Sequence, residues 1–354
     1  MKENTTIAVD IAKNVFEAAV SVVPGQVRER RRLTRAQLPK WVAQREPSTV
    51  VMEACGSAHY FGREFEKQGH KAVLLPPAQV RRYVLRNKTD RTDTMALLEA
   101  YRNEDIKPVP VKTEYQQALA WMHRVRTGWK QTRTGRLNAM RGVLRELGIT
   151  IPVGATKVVP AVVEAVANEK VPPMLRAVLL EAVDEVRQLE KRISAAEDDL
   201  VREAKTQPAV GALMTVPGIG ILTATALFCA MGEPTRFASG RRFASFLGLV
   251  PREHSSGDRR HLGAITKRGD PYIRMLLTHG ARSALLAAKR KKSNDRLRTW
   301  ALSVEQRRGH NRATMALANK MARIAWAIWS RGGRYAPGSD PITDARTNAP
   351  IVKG

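Results

Sequence analysis

The sequence predicts an α/β N-terminal region followed by a mainly helical remainder. Three observations carry this prediction. Short runs of β-branched and apolar residues, with one helical pattern between them, fill the chain up to Pro76-Pro77. Over 113–147 and 174–204 the apolar residues instead recur every three or four positions. A further stretch, 209–285, is apolar and punctuated by glycine. Period two marks strands and a period near 3.6 marks helices.

Residues 5–11 (Thr-Thr-Ile-Ala-Val-Asp-Ile) form the first predicted strand, apolar on both faces as a central buried strand requires. Residues 15–22 and about 26–33 follow as a hairpin turning at Pro24-Gly25. Thr49–Glu53 is the next strand, and it ends on a carboxylate. A helix is predicted over roughly 58–68, a strand at Lys71–Leu75 closed by Pro76-Pro77, and a helix from near Asp90 to about Arg102. Three early strands and then strand-helix-strand-helix is an α/β sandwich order, and it defines a first domain over 1–112.

Residues 113–208 read as a linker. Thr113 and Gln116 have capping-box spacing and open a helix to about Leu147. Leu119, Met122, Val125 and Trp129 give it one apolar face; Leu137, Met140, Leu144 and Leu147 give another. The rest is covered by Arg124, Arg126, Lys130, Arg133, Arg136, Arg141 and Arg145. Such a face is either solvated or a polyanion contact, and the scarcity of acidic neighbours favours nucleic acid, with Arg133 and Arg136 as candidates. In 174–204, Leu179, Ala182, Val186, Leu189, Ile193, Ala196 and Leu200 form a coiled-coil seam. That seam serves either a homodimer or homotetramer, or packing within the chain.

The compact stretch defines a domain over 209–290. Residues 289–312 are strongly basic and 312–330 are an apolar helix suited to a core, together a segment over 291–331. From 332 to 354 the chain is rich in Gly, Pro, Asp and Thr and is predicted to be a disordered tail.

Lys and Arg number 60 against 33 Asp and Glu, a net charge of +27 that points to a polyanionic partner. No apolar run reaches the roughly 20 residues of a membrane helix, and Met1–Asn4 lead straight into a strand without a signal-peptide pattern. Nucleic acid in the cytoplasm, with no membrane, is therefore the expected partner. Cys55 and Cys229 offer neither a disulfide framework nor zinc-ligand spacing. Aromatics make up only 5%, which argues against a stacking platform for single strands.

In so basic a chain four acids stand out: Asp10 on the first strand, Glu53 at a strand end, and Asp90 and Asp93 at a helix start. Carboxylates converging from separate segments can hold divalent metal beside a phosphate. The i,i+3 spacing aims Asp90 and Asp93 at one point, although acids at a helix N-terminus also serve simply to cap it. Ile-Ala-Val-Asp10-Ile-Ala-Lys13, Met-Glu53-Ala and Lys88-Thr-Asp90-Arg-Thr-Asp93 resemble the motifs of the DEDD transposases of bacterial insertion sequences, a family related to Piv-type DNA invertases. The resemblance implies an RNase H/RuvC-like N-terminal domain in which Asp10, Glu53, Asp90 and Asp93 are catalytic and ligate Mg²⁺.

Pro217-Gly218-Ile219-Gly220 precedes an apolar helix and looks like half of a helix-hairpin-helix, with Gly218 and Gly220 leaving backbone N–H groups for phosphate. Gly-Leu-Val-Pro251, then Ser255-Ser256-Gly257, then Gly263-Ala-Ile-Thr-Lys267-Arg268-Gly269 follow. The serines are ringed by Arg252, Arg259, Arg260, His261, Lys267, Arg268 and Arg274, and guanidinium groups suit phosphate. These motifs, in this order, are similar to the C-terminal domain of the same transposases. The resemblance implies that Ser256, before the glycine, is the nucleophile, with Ser255 as the alternative. It further implies a recombinase that cuts and rejoins donor and target DNA through a phosphoserine link, guided by an element-encoded noncoding RNA. Two rivals stand beside it: a RuvC-like hydrolytic nuclease of the Holliday-junction type, which needs no serine, and a non-catalytic nucleic-acid-binding protein.

Overall fold

A computed structural model of the chain describes residues 5–84, 89–257, 259–290 and 295–337, and the backbone of 342–344. Lys88, the tail beyond 337 apart from 342–344, and Lys291 and Lys292 of the basic stretch lie outside the described residues. The chain divides into two compact units: residues 1–117 with 231–233, and residues 118–230 with 234–354. The first is mixed α/β and the second largely helical, as expected.

The first unit comprises β1 (Thr6–Asp10), β2 (Val15–Ser21), β3 (Glu29–Thr34), α1 (Gln37–Ala43), β4 (Thr49–Glu53), α2 (Ala58–Lys67), β5 (Lys71–Leu75), α3 (Pro77–Val80) and α4 (Asp90–Arg102). The sheet order is β3-β2-β1-β4-β5, antiparallel through β1 and parallel from β1 to β5. Alternation splits the strand residues between two cores. Ile7, Val9, Val50 and Met52 face Phe61 and Phe65 of α2, and Phe16 meets Phe61 edge-on at 5.2 Å. Ala8, Ala19 and Val51 face Leu97 and Ala100 of α4. The small Ala8 and Ala19 let α4 lie close over β1, which brings its first turn to the strand ends.

Helix α5 (Glu114–Glu146) opens on the expected capping box, Gln116 N donating to Thr113 Oγ1 and Thr113 N to Gln116 Oε1, each at 3.1 Å. In the second unit α5 runs antiparallel to α7 (Pro173–Lys205), with α6 (Val158–Ala167) closing one end. Leu179, Val183 and Val186 pack on Leu137, Met140 and Leu144, so the seam of 174–204 is buried against its own chain. The first half of α5 departs from expectation. Its buried stripe is Leu119, His123 and Arg126, whereas Met122, Val125 and Trp129 are half-buried. His123 shares 2.9 Å hydrogen bonds with the Tyr272 and Thr225 hydroxyls, and burial drops its pKa to about 4. Arg126 pairs with Glu197. These partners lie far along the chain, so the polar positions could not be assigned to the buried face from local spacing.

The remaining elements are α8 (Pro208–Leu213), α9 (Ile221–Met231), α10 (Gly240–Phe246), β6 (Pro251–Glu253), β7 (Leu262–Ile265), α11 (Pro271–Arg290), α12 (Arg296–Arg308), α13 (His310–Arg331), β8 (Gly333–Tyr335) and β9 (Ile342–Asp344). Helix α13 packs against α10, α11 and α12 as a core helix. Strands β6 and β7 form an exposed antiparallel ribbon. At the start of the stretch predicted as a tail, β8 pairs with β9, and Tyr335 hydrogen-bonds to Asp295 and to Thr215. A tyrosine anchored at ring and backbone gives that Gly-rich stretch the local contacts its composition lacks.

Candidate active site

Asp10 and Glu53 are the last residues of neighbouring parallel strands, one position beyond the Val9–Met52 pairing. They share the face on which Ala8 and Val51 meet α4, because residues two apart in a strand point the same way. Carboxyl ends of parallel strands are where α/β sheets place ligands. A cavity of about 620 Å³ opens there, lined by Asp10, Glu53 and Asp93, with Arg81 and Leu97 among the other walls. Asp93 is half-buried; Asp90 is exposed and is not part of the lining.

The cap of α4 is made by Thr89 and Thr92. Thr92 N donates to Thr89 Oγ1 at 3.2 Å and Thr89 N to Thr92 Oγ1 at 2.9 Å. Asp90 and Asp93 are therefore not the capping side chains. Cys55 reports the local field: burial first, then the charges of Glu53 and Asp10, raise its thiol above the usual range. A thiol held protonated is a poor metal ligand, whereas carboxylate oxygens suit a hard divalent cation such as Mg²⁺. Among the described residues no three acidic, histidine or cysteine side chains are close enough together to form a ready coordination sphere. The donor chemistry fits a divalent cation, and Asp10, Glu53 and Asp93 border one space in which to hold it.

In the second unit both predicted serines sit at the tip of the β6–β7 ribbon. Ser256 and Arg259 exchange backbone hydrogen bonds of 3.3 and 3.2 Å, and Gly257 takes the left-handed conformation (φ +54°) that such a turn demands. The two serines differ. Ser255 Oγ donates to Glu253 Oε1 at 2.9 Å and accepts from His261 N at 3.2 Å. The Ser256 side chain is exposed at the tip. Arg260 Nε also donates to Glu253 Oε1, at 3.1 Å, and these bonds hold the Glu253 carboxyl below its usual range. Glu253 escaped the sequence reading, although its position two before Ser255 was a usable signal of a shared strand face. Arg81 escaped it as well, and nothing local marked its approach to the carboxylates.

Arg252, Arg259, Lys267 and Arg268 are exposed on the ribbon and the loop that follows it. Other predicted contacts are used elsewhere. Arg274 Nη1 donates to the carbonyls of Gly269 (3.1 Å) and Leu247 (3.3 Å), bracing the base of the ribbon. There the chain crosses itself: a Cβ on Gly269 would lie 2.3 Å from Phe246 O. Gly218 has φ +88° and packs against Gly280, where an added Cβ would lie 2.0 Å from Gly218 O. Its glycine is thus required by helix packing, while Gly220 is exposed and open. Arg133 and Arg136 face Glu190 and Glu185 of α7. The acidic partners missing from their own helix come from its antiparallel neighbour.

Residues 7–149 match a family profile described as a transposase of the DEDD, IS110 type, and residues 210–298 match one described as the transposase IS116/IS110/IS902 family. A protein of Pseudomonas aeruginosa named as a probable family 20 transposase is 39% identical over 94% of this chain and 98% of its own. The transposase for insertion sequence element IS1111A of Coxiella burnetii is 37% identical over 96% of this chain and 93% of its own. The transposase for insertion sequence element IS1328 of Yersinia enterocolitica is 33% identical over 94% and 98%.

Proposed function

This chain belongs to the IS116/IS110/IS902 family of insertion-sequence transposases, and on that premise we propose that it cuts and rejoins DNA by attack of Ser256 at a phosphate handled by Asp10, Glu53, Asp90 and Asp93. The observation that carries the choice of serine is the division of labour at the ribbon tip. Both serines are exposed, but the Ser255 hydroxyl is tied to Glu253 and to the His261 backbone, whereas Ser256 is paired with Arg259 through the backbone.

In this reading the first unit is RuvC-like and the second bears the nucleophile. Asp10, Glu53 and Asp93 would hold a divalent cation, with Asp90 joining from the same helix start; when bound, such an ion supplies Lewis-acid polarisation of a phosphate oxygen. Ser256 Oγ forms a bond to phosphorus as the bond from phosphorus to a deoxyribose oxygen breaks. The serine proton leaves to a base, and the departing oxygen is protonated to a hydroxyl. The phosphodiester is exchanged for a phosphoserine diester, so no bond energy is lost. A hydroxyl of the exchanged strand then attacks the phosphoserine and releases Ser256. Arg259 and Arg268 on the exposed ribbon and loop offset charge on the phosphate, and Arg252 and Lys267 bind its neighbours.

The acids and the serine belong to separate units, and we assign them to one phosphodiester through a homodimer or homotetramer. Donor and target DNA are the substrates in this reading, and an element-encoded noncoding RNA is the guide, carried by the family resemblance together with the net charge of +27. No helix among the described residues is long and apolar enough to cross a membrane, and we place the protein with the DNA of the cytoplasm.

Cutting of element-end DNA on denaturing gels tests the assignment. Ser256→Ala should abolish both cutting and covalent adduct, while Ser255→Ala retains the adduct. Continued cutting by Ser256→Ala identifies a hydrolytic nuclease instead. Cutting unaffected by RNase treatment of the purified protein refutes the guide.

A further inference from the structure

A second cavity, of about 1160 Å³, lies between the β6–β7 ribbon and helices α12 and α13, and the transposition chemistry above makes no use of it. Its floor is apolar, formed by Leu262 and Ile265 of the ribbon with Met315 of α13. Its walls carry Trp300, Asn311, Arg312, Asn319, Lys320 and Arg323, and among the described residues none that lines it is acidic. Arg312, Asn319 and Arg323 recur along α13 at helical spacing, so one face of that helix supplies both cations and amides. Asn319 donates its amide to Leu249 O at 3.2 Å, which orients its carbonyl oxygen as an acceptor. Lys320 Nζ stands 4.1 Å from the centre of the Trp300 ring.

We propose that this cleft binds one unstacked nucleotide of the DNA strand being cut. Each part of a nucleotide has a counterpart there: the Trp300 ring for the base once the Lys320 ammonium standing over it turns to a phosphate, amide groups for the base edge, and three cations for the flanking phosphates. The cleft also has room for one, because pockets of several hundred cubic ångströms already enclose ligands of that size. Burial and the charge of Arg323 lower the Lys320 ammonium from its ordinary range, against a smaller opposing pull from Asp295. Glu253, paired with Leu262 of the cavity lining at the tip end of the ribbon, is three residues from Ser256. At roughly 3.3 Å per residue that is about 10 Å, or two to three nucleotide steps of a stacked strand. The inference rests on the reading of this chain as a DNA-cutting enzyme with Ser256 at the ribbon tip.

The test uses full-length protein and fluorescence anisotropy with a labelled thymidine pentanucleotide and its all-abasic counterpart. A base pocket predicts that the base-bearing strand binds roughly 5- to 100-fold more tightly. Trp300→Leu should erase most of that preference and Trp300→Phe should keep it. Asn311→Ala, at an exposed helix start, should reduce it without unfolding risk. Equal affinity of the wild-type protein for the two strands overturns the proposal, as does an unchanged preference in both Trp300→Leu and Asn311→Ala. Tighter binding of the uridine pentaribonucleotide overturns the assignment to DNA. Failure of the serine reading shows separately, as cutting by Ser256→Ala with the base preference intact.

Discussion

Gly280→Ala isolates the reason for the Pro-Gly-Ile-Gly motif at 217–220. If Gly218 exists to cradle phosphate, a methyl group on α11, outside the motif, should matter little. If it exists for packing, the methyl group collides with it. The added Cβ would sit 2.0 Å from Gly218 O and 3.0 Å from its carbonyl carbon, with Met321 Cε at 3.4 Å. Ordinary carbon–oxygen contact needs more than 3 Å, so the two backbones must part by about 1 Å. Overpacking of this kind costs about 1–3 kcal/mol. For a unit of this size that corresponds to a melting temperature lower by roughly 2–10 °C. Gly218→Ala should be at least as damaging, because its φ of +88° adds the left-handed penalty of about 1 kcal/mol to the clash with Gly280 O at 2.5 Å. Gly220→Ala meets nothing within 4 Å and should melt with the wild type. Differential scanning fluorimetry reads all three. A Gly280→Ala protein that melts with the wild type, together with a Gly220→Ala protein that folds normally but binds DNA with a shallower salt dependence, would refute the packing argument and restore the phosphate cradle.

The other predictions concern charge and metal. Asp93→Asn should reduce cutting more than Asp90→Asn does, because only Asp93 borders the cavity with Asp10 and Glu53; the reverse order, in a single-turnover assay, contradicts that arrangement. Arg259→Ala should weaken DNA binding and reduce its salt slope by about one, whereas Arg136→Ala, whose charge is met by Glu185, should change the slope less; equal slopes in a salt titration would put both side chains on phosphate. His123 should stay neutral in the folded protein down to about pH 4, while the unfolded chain takes up its proton near 6.5. With the folded pKa lowered, its stabilising contribution is complete above pH 6.5 and is lost as pH falls towards 4, at up to about 1.4 kcal/mol per pH unit. A histidine ring resonance that titrates near 6.5 in wild type and disappears in His123→Asn refutes the buried neutral assignment.

What the sequence made legible was local. Asp10 and Glu53 could be placed because each lies on a short apolar run, Asp10 within the first predicted strand and Glu53 at the end of a later one. The helix at 90–102 was legible from its start signals, as was the capping box at Thr113. What escaped depended on distant partners. Arg133 and Arg136 looked like a bare basic face because Glu190 and Glu185 return only on the antiparallel helix. Gly218 looked like a phosphate loop because Gly280 is a separate helix away. Asp90 and Asp93 have equal claims by spacing, and only the fold turns one toward the strand ends and leaves the other exposed. Ser255 and Ser256 are adjacent and chemically identical, and the ribbon register separates them by giving Ser255 to Glu253.

Peptide mass spectrometry of the protein trapped on its own DNA, run in parallel on wild type and Asp10→Asn, asks whether the serine and the carboxylates serve one phosphodiester. Wild type should carry a nucleotide adduct on the peptide with Ser256, and a folded, DNA-binding Asp10→Asn protein should carry none. Cut DNA without an adduct, or an equally abundant adduct in Asp10→Asn, would contradict that shared role.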